Sequence, residues 1–256
     1  MIANYHTHTP RCNHATGTEE EFVQAAIERG LKTLGFADHS PYCGFPDDYY
    51  STFRMKPEEV TNYVSVLRDL KERYRQQIDI RIGVEMEYYP AYFADTVSML
   101  RDNGVEYLIL GQHFPGNEIG EQPASTPTED EDRLSRYCHQ VMEGMNTGLF
   151  TYLAHPDMFR FVGDPAIYQK HIRPLCREAI ACGMPVEINM LGLYENRHYP
   201  NTAFLQIAAE EGCQAILGCD AHKPAALLDV ETEQRALALA KQVGIQIVEK
   251  AELKLL

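Results

Sequence analysis

Residues Thr18–Ser40 read TEEEFVQAAIERGLKTLGFADHS, and this stretch decides the fold class. Thr18 with Glu21 three residues later is a capping-box signature for a helix start, and Gly30 is its natural stop. Thr33–Ala37 then reads as a β-strand, and His39 stands just past its end. The same unit recurs in both directions. Ala3–His6 reads as a strand before the helix from Thr18 to Arg29. After it come a helix over Lys56–Gln77 with Pro57 in its first turn, a β-rich stretch Ile78–Tyr88, a helix Ala91–Asn103 and a strand Glu106–Leu110. Residues 114–128 read as a long loop. A helix Glu129–Asn146, a strand Phe150–Ala154, a helix Pro165–Cys182 and a strand Pro185–Asn189 follow. A helix Asn201–Glu211, a strand Ala215–Gly218, a helix Val230–Val243 and a short run Ile245–Val248 complete the chain. Strands alternating with helices imply a parallel sheet. About seven such units in one chain predict a TIM-like (β/α) barrel, with an open doubly wound sheet as the alternative. No G-x-G-x-x-G or G-x-x-x-x-G-K-[ST] follows a strand, so nucleotide binding of those kinds has no support.

The bulk numbers fit one domain spanning 1–256. Hydrophobic residues make up 45% and charged residues 23% of the 256, ordinary for a globular protein. The longest apolar runs, such as Tyr107–Leu110 and Ala215–Leu217, are too short to span a bilayer, and MIANYHTHTP carries no secretory pattern. Seven cysteines without a C-x-x-C pair point to reduced thiols in a cytoplasm, most of them core residues. The net charge of −14 argues against nucleic acid as a partner. It also means that an anionic substrate would need a local positive centre.

The histidines supply one. His6 and His8 (YHTHT), His14 (RCNHA), His39 (GFADHS), His113 (LGQHF), His155 (LAHPD) and the pair Asp220 and His222 (GCDAHKP) stand at or just past strand ends, with Glu85 (GVEMEYY) in the third strand region. In a barrel of this type that is the active-site face. Residues two apart on a strand point to one side, so His6 with His8 and Asp220 with His222 present paired donors. Imidazole with carboxylate is a ligand set for zinc, manganese or iron. Nine donors exceed the needs of one ion and suit two or three, which together activate water for attack on phosphorus. A single histidine at a strand end is ordinarily a hydrogen-bonding residue; seven of ten on one face are not explained that way.

HTH, GFADHS, GVEMEY, GQHF, AHPD and GCDAH, in this order, resemble the motifs of the PHP (polymerase and histidinol phosphatase) superfamily, and the EIN segment after AHPD is most similar to its histidinol-phosphate phosphatase branch. The resemblance runs from residue 4 to about residue 225. It implies a distorted (β/α)7 barrel with a trinuclear centre. One ion would take His6, His8, Glu85 and Asp220; a second would share Glu85 and take His113 and His155; a third would take His14, His39 and His222. A hydroxide bridging the ions, held by Glu85 and Asp220, would attack phosphorus, and no residue identifies itself as the leaving-group proton donor. Three divalent ions less two carboxylates and one hydroxide leave a centre of about +3, which answers the acidic surface.

A phosphate monoester rewards further cationic donors. Arg160, five residues past His155, and Arg197, in LYENRHYP, are the expected phosphate ligands. His198, Tyr42 and Asp47 are weaker expectations for substrate contacts. The implied reaction is hydrolysis of L-histidinol phosphate, a small phosphorylated metabolite, with neither membrane nor nucleic acid as partner. Two readings stand beside it: a phosphoesterase of the same superfamily acting on another metabolite or a diester, and a non-catalytic metal-binding protein.

Overall fold

The computed structural model describes residues 1–256. Its strands are β1 (Ala3–Asn4), β2 (Thr33–His39), β3 (Asp79–Met86), β4 (Tyr107–Leu110), β5 (Phe150–Leu153), β6 (Val186–Asn189), β7 (Gln214–Gly218) and β8 (Gln246–Ile247). All pair in parallel, in chain order from β1 to β8. Past their ends the first and seventh strands meet again. Thr7 bridges Ala221 in parallel, with His8 N donating to Ala221 O at 2.9 Å and Ala221 N to His6 O at 3.2 Å. Seven strands therefore curl into the distorted TIM-like barrel that the alternation predicts, and β8 pairs in parallel beside the first residues of β7, Gln214 and Ala215.

The helices are α1 (Glu19–Arg29), α2 (Val60–Tyr74), α3 (Pro90–Asn103), α4 (Glu131–Asn146), α5 (Pro165–Ala181), α6 (Met190–Tyr194), α7 (Thr202–Glu211) and α8 (Val230–Val243). The capping box of α1 forms as read, with Glu21 N donating to Thr18 Oγ1 at 3.3 Å and Thr18 N to Glu21 Oε2 at 2.6 Å; Gly30 ends the helix at φ 84°. The expected helix from Lys56 begins instead as a 3₁₀ turn over Pro57–Glu59, and its last turn stops at Tyr74. Short α6 was not expected. It is nucleated by Asn189, whose side chain accepts from Gly192 N at 3.0 Å. No helix is long and apolar enough to cross a membrane.

Burial divides into two cores. A large one fills the space between sheet and helices. A small one, of Ala3, Tyr5, Ala37, Tyr107, Ile109, Tyr152, Ala154 and Ile216, lies apart from it. Its members precede the chemistry along each strand: Tyr5 before His6, Ala37 before His39, Ala154 before His155, Ile216 before Asp220. They plug the barrel below the site, and Tyr107 ties the plug by donating to the carbonyls of Tyr5 (2.8 Å) and Phe36 (3.1 Å). A dry floor of this kind raises the strength of every electrostatic contact above it.

Candidate metal centre

The ends of six strands bring the nine expected donors together. Around one point stand His6 Nε2, His8 Nε2, Glu85 Oε2 and Asp220 Oδ1. Both His6–carboxylate separations are 3.5 Å, and those from His8 are 3.6 Å to Glu85 and 3.0 Å to Asp220. A tetrahedron with bonds of about 2.0–2.1 Å has edges of about 3.3–3.4 Å, so these spacings fit a zinc-sized ion. The other oxygen of Glu85 faces His113 Nε2 at 3.5 Å and His155 Nε2 at 2.6 Å. His39 Nδ1 lies 3.0 Å from Glu85 Oε2. His14, His39 and His222 form a further group whose donor atoms all lie within 4.8 Å of one another.

Two features test whether this cluster suits cations. His6 Nε2, His8 Nε2, His39 Nδ1 and Glu85 Oε2 are buried without a hydrogen-bond partner, which is costly unless an ion meets them. His14 Nε2 and His222 Nε2 face each other at 2.9 Å. Each ring donates its Nδ1–H to a backbone carbonyl, Cys12 O at 2.7 Å and Asp220 O at 2.9 Å. Two lone pairs are left opposed, an arrangement that a shared cation relieves.

Carboxylates absent from the expected set hold the rings. Glu187 accepts from His6 Nδ1 at 2.8 Å and, through its other oxygen, from the His155 backbone N at 2.9 Å. Asp38 accepts from His8 Nδ1 at 3.3 Å, and Glu87 from His113 Nδ1 at 2.8 Å. Each fixes a proton on Nδ1 and so aims the Nε2 lone pair inward. Gly111 and Gly218 make room for this, since a Cβ there would collide with Glu85 and Glu187 respectively. The signal for the three carboxylates was an acidic residue inside or at the end of a buried strand, which must have a partner. His155 (φ 27°) and Asp220 (φ 49°) adopt left-handed backbone conformations, strain of a kind that clusters at functional sites.

Burial works against charge on both carboxylates of the centre, but the surrounding imidazoles outweigh it. Glu85 is held well below its ordinary range by His113, His6, His39 and His155, and Asp220 by His6, His8 and His222. Both are therefore anionic and available to cations.

Above the cluster opens a cavity of about 360 Å³. Glu85, Asp220 and five of the histidines form its base, and Phe53, Phe114, Met158, Glu195, Arg197 and Tyr199 are among its walls. Arg197 is held there by Glu195 and by the Tyr199 hydroxyl. Arg160 is exposed and lines an adjoining outer cavity with Arg197 and His198. His198 donates from Nε2 to Met158 O at 2.9 Å. Tyr42 does not face the central cavity: it is 4% exposed, and its hydroxyl donates to Glu87 Oε2 at 2.8 Å, so it braces the Glu87–His113 pair. Asp47 opens onto a separate groove beside Tyr49 and Lys56.

A family model described as PHP domain matches residues 4–191. The chain belongs to the PHP domain family. It is 30% identical to a probable histidinol-phosphatase of Deinococcus radiodurans, over 87% of this chain and 87% of that protein. It is 25% identical to the histidinol-phosphatase of Bacillus subtilis, over 85% and 92%. A similar solved structure is that of histidinol phosphate phosphatase from Lactococcus lactis, complexed with zinc, L-histidinol and phosphate. Its TM-score is 0.75 at 20% identity, covering 99% of this chain and 98% of that one. At that identity the likeness shows the fold alone; the site rests on this chain's own side chains.

Proposed function

We propose that this chain is a metal-dependent phosphate monoesterase that hydrolyses L-histidinol phosphate to L-histidinol and phosphate. The observation that carries the proposal is the convergence of nine donors, spaced for two or three divalent ions, at the base of an open cavity walled by an arginine. Relatives named histidinol-phosphatase across most of the chain supply the substrate, and the Lactococcus lactis complex makes zinc the first ion to test.

His6, His8, Glu85 and Asp220 would hold one ion, Glu85 with His113 and His155 a second, and His14, His39 and His222 a third. When bound, such ions polarise phosphoryl oxygens and supply a nucleophile from water at neutral pH. The chain's own residues do the rest. Arg197 binds the phosphate dianion at the cavity wall, and Arg160, one cavity outward, adds a second positive charge on its approach. Glu195, beside Arg197, offers a carboxylate to the amine of the amino alcohol. Phe53 and Phe114 exclude water from one side.

The test compares kcat/KM for L-histidinol phosphate, p-nitrophenyl phosphate and its bis-ester, with and without chelator. The expected order places histidinol phosphate first and the bis-ester last, with turnover abolished by chelator and restored by zinc. Arg197→Ala is expected to lower kcat/KM for the monoester roughly a hundredfold. A preference for the bis-ester, or histidinol phosphate turned over no better than a generic monoester, would overturn the assignment.

A further inference from the structure

Arg54 is 3% exposed and is not among the residues that line the central cavity. Its guanidinium is nevertheless spent completely. An arginine carries five N–H donors. Nη1 donates to Ser40 O at 2.8 Å and to Glu87 Oε2 at 3.1 Å. Nη2 donates to Glu87 Oε1 at 3.0 Å and to Glu118, and Nε to Glu118 Oε2 at 3.0 Å. The rings of Tyr42 and Phe53 lie 5.0 and 4.3 Å from its central carbon. A group held by five bonds and two rings has one orientation.

Each of these contacts leads to a donor of the cluster. Ser40 follows His39, and Ser40 N donates to Glu85 O at 2.8 Å, so the bond from Arg54 fixes the end of β2 where it lies on β3. Phe53 meets the His39 ring edge-on, with centroids 5.4 Å apart. Glu87 Oε1, gripped by Nη2, is the same oxygen that accepts from His113 Nδ1 at 2.8 Å. One donor atom each from His39, Glu85 and His113 lie within 4.8 Å of one another. Arg54 therefore stands behind two rings of one group of three donors. The rings of His6 and His8 are held differently, by Glu187 and Asp38, and no hydrogen bond of Arg54 goes to either.

We propose that Arg54 is a positioning residue that holds His39 and His113 in ligating geometry. The ions served by these two rings then depend on it, and the ion of His6, His8 and Asp220 does not. This rests on the reading of the cluster as a metal centre. A ligand must stand within about 0.2 Å of its ideal distance, so small freedom in Glu87 or Ser40 is felt at the ion. Lysine cannot take over the role. Its ammonium is a point charge with three donors and cannot meet Glu87 with a planar fork while also reaching Ser40 O and Glu118.

The experiment titrates metal-free full-length protein with zinc against a chromophoric chelator, which resolves the binding steps. His39→Ala, His113→Ala and His8→Ala assign each step to its donors. Arg54→Lys is expected to weaken the steps that fail in His39→Ala and His113→Ala by about 10–100-fold. The remaining step, lost in His8→Ala, should keep its wild-type affinity. A merely structural arginine would weaken every step alike. Uniform weakening, or no change at any step, overturns the proposal. Should Arg54→Lys fail to fold, the guanidinium ¹⁵N resonances of Arg54 in the wild type decide. They are expected to shift with the steps assigned to His39 and His113 and to stay in place through the other; a shift at every step or at none overturns the proposal. A wild type that binds no zinc fails the metal-centre reading itself. Zinc binding without monoester hydrolysis fails only the enzymatic reading.

Discussion

His6 and His39 stand on the same Glu85 carboxylate and are driven in opposite directions. Burial works to lower His6, but Glu187, Asp220 and Glu85 outweigh it and raise the ring well above 6.5. His8 is likewise raised against burial by Asp220 and Asp38. Burial prevails at His39, held at about 3, and at His222, held at about 4. In the metal-free protein the raised pair therefore contributes stability that is complete below pH 6.5 and lost as pH rises through their elevated values. The depressed pair contributes stability present above pH 6.5 and lost as pH falls toward 4 and then 3. An ion requires neutral rings, so at pH 7 it must displace protons from His6 and His8 but none from His39 or His222. Zinc binding is expected to release protons, roughly one or two from this pair, and to tighten as pH rises above 6.5. Calorimetric titrations in two buffers of different ionisation enthalpy measure the release; identical heats in both would refute it. The convergence of these nine side chains was legible because eight of them stand within four residues of a strand end, where position along the chain fixes position in space; His14 lies farther on, past the Pro10–Cys12 turn. Asp38, Glu87 and Glu187 were not, because which face a buried acid takes depends on partners far away in sequence. Tyr42 was misread for the same reason: its loop borders the site, but its ring turns into the core.

Arg54 is the residue through which two loops become parts of the centre. Its guanidinium is buried, meets Glu87 at 3.0 and 3.1 Å, meets Glu118 from Nε at 3.0 Å, and donates to Ser40 O at 2.8 Å. Glu87 carries His113, and Glu118 belongs to segment 114–128. The Phe53 ring, a wall of the cavity, packs 4.3 Å from the same guanidinium. Arg54→Met strips two buried carboxylates of their cation and is expected to destabilise the protein by about 3–5 kcal/mol. Adding Glu118→Gln to it should restore part of that, because the double variant buries one charge fewer. Urea denaturation checks both; a double variant less stable than Arg54→Met would show that Glu118 is not tied to the cluster through Arg54. At this scale regular elements were the legible part. Caps, helix-ending glycines and strand alternation are local signals, and the boundaries they gave hold to within a few residues. Segment 114–128 read only as a loop. What orders it is distant: the Glu118–Arg54 pair, Ala124 N on His113 O at 2.7 Å, and Arg160 N on Ala124 O at 2.9 Å. No periodicity announces such contacts. Five-residue α6 is too short to carry a helical pattern at all.

The barrel as a whole is stitched by its donors, which come from the ends of strands β1, β2, β3, β4, β5 and β7. The seam between the first and seventh strands has few backbone bonds, those around Thr7 and Ala221. His6 and His8 on one side of it and Asp220 and His222 on the other would share ions across it. With the proposed ligand set, metal binding is coupled to ring closure, and an ion that binds only the closed ring would stabilise it by mass action. At free zinc a hundredfold above the dissociation constant, one site adds about 2.7 kcal/mol. For a chain of this size that is worth roughly 5–10 °C in Tm. Chelation is expected to lower Tm by at least that much, and zinc to restore it. Amide exchange should rise on chelation at Thr7, His8 and Ala221 more than in β2 and β3, whose ladder is the longest in the sheet and needs no ion to close. A Tm indifferent to chelator, or exchange rising evenly around the ring, would mean that the seam holds without the ions and that the donors act only in chemistry.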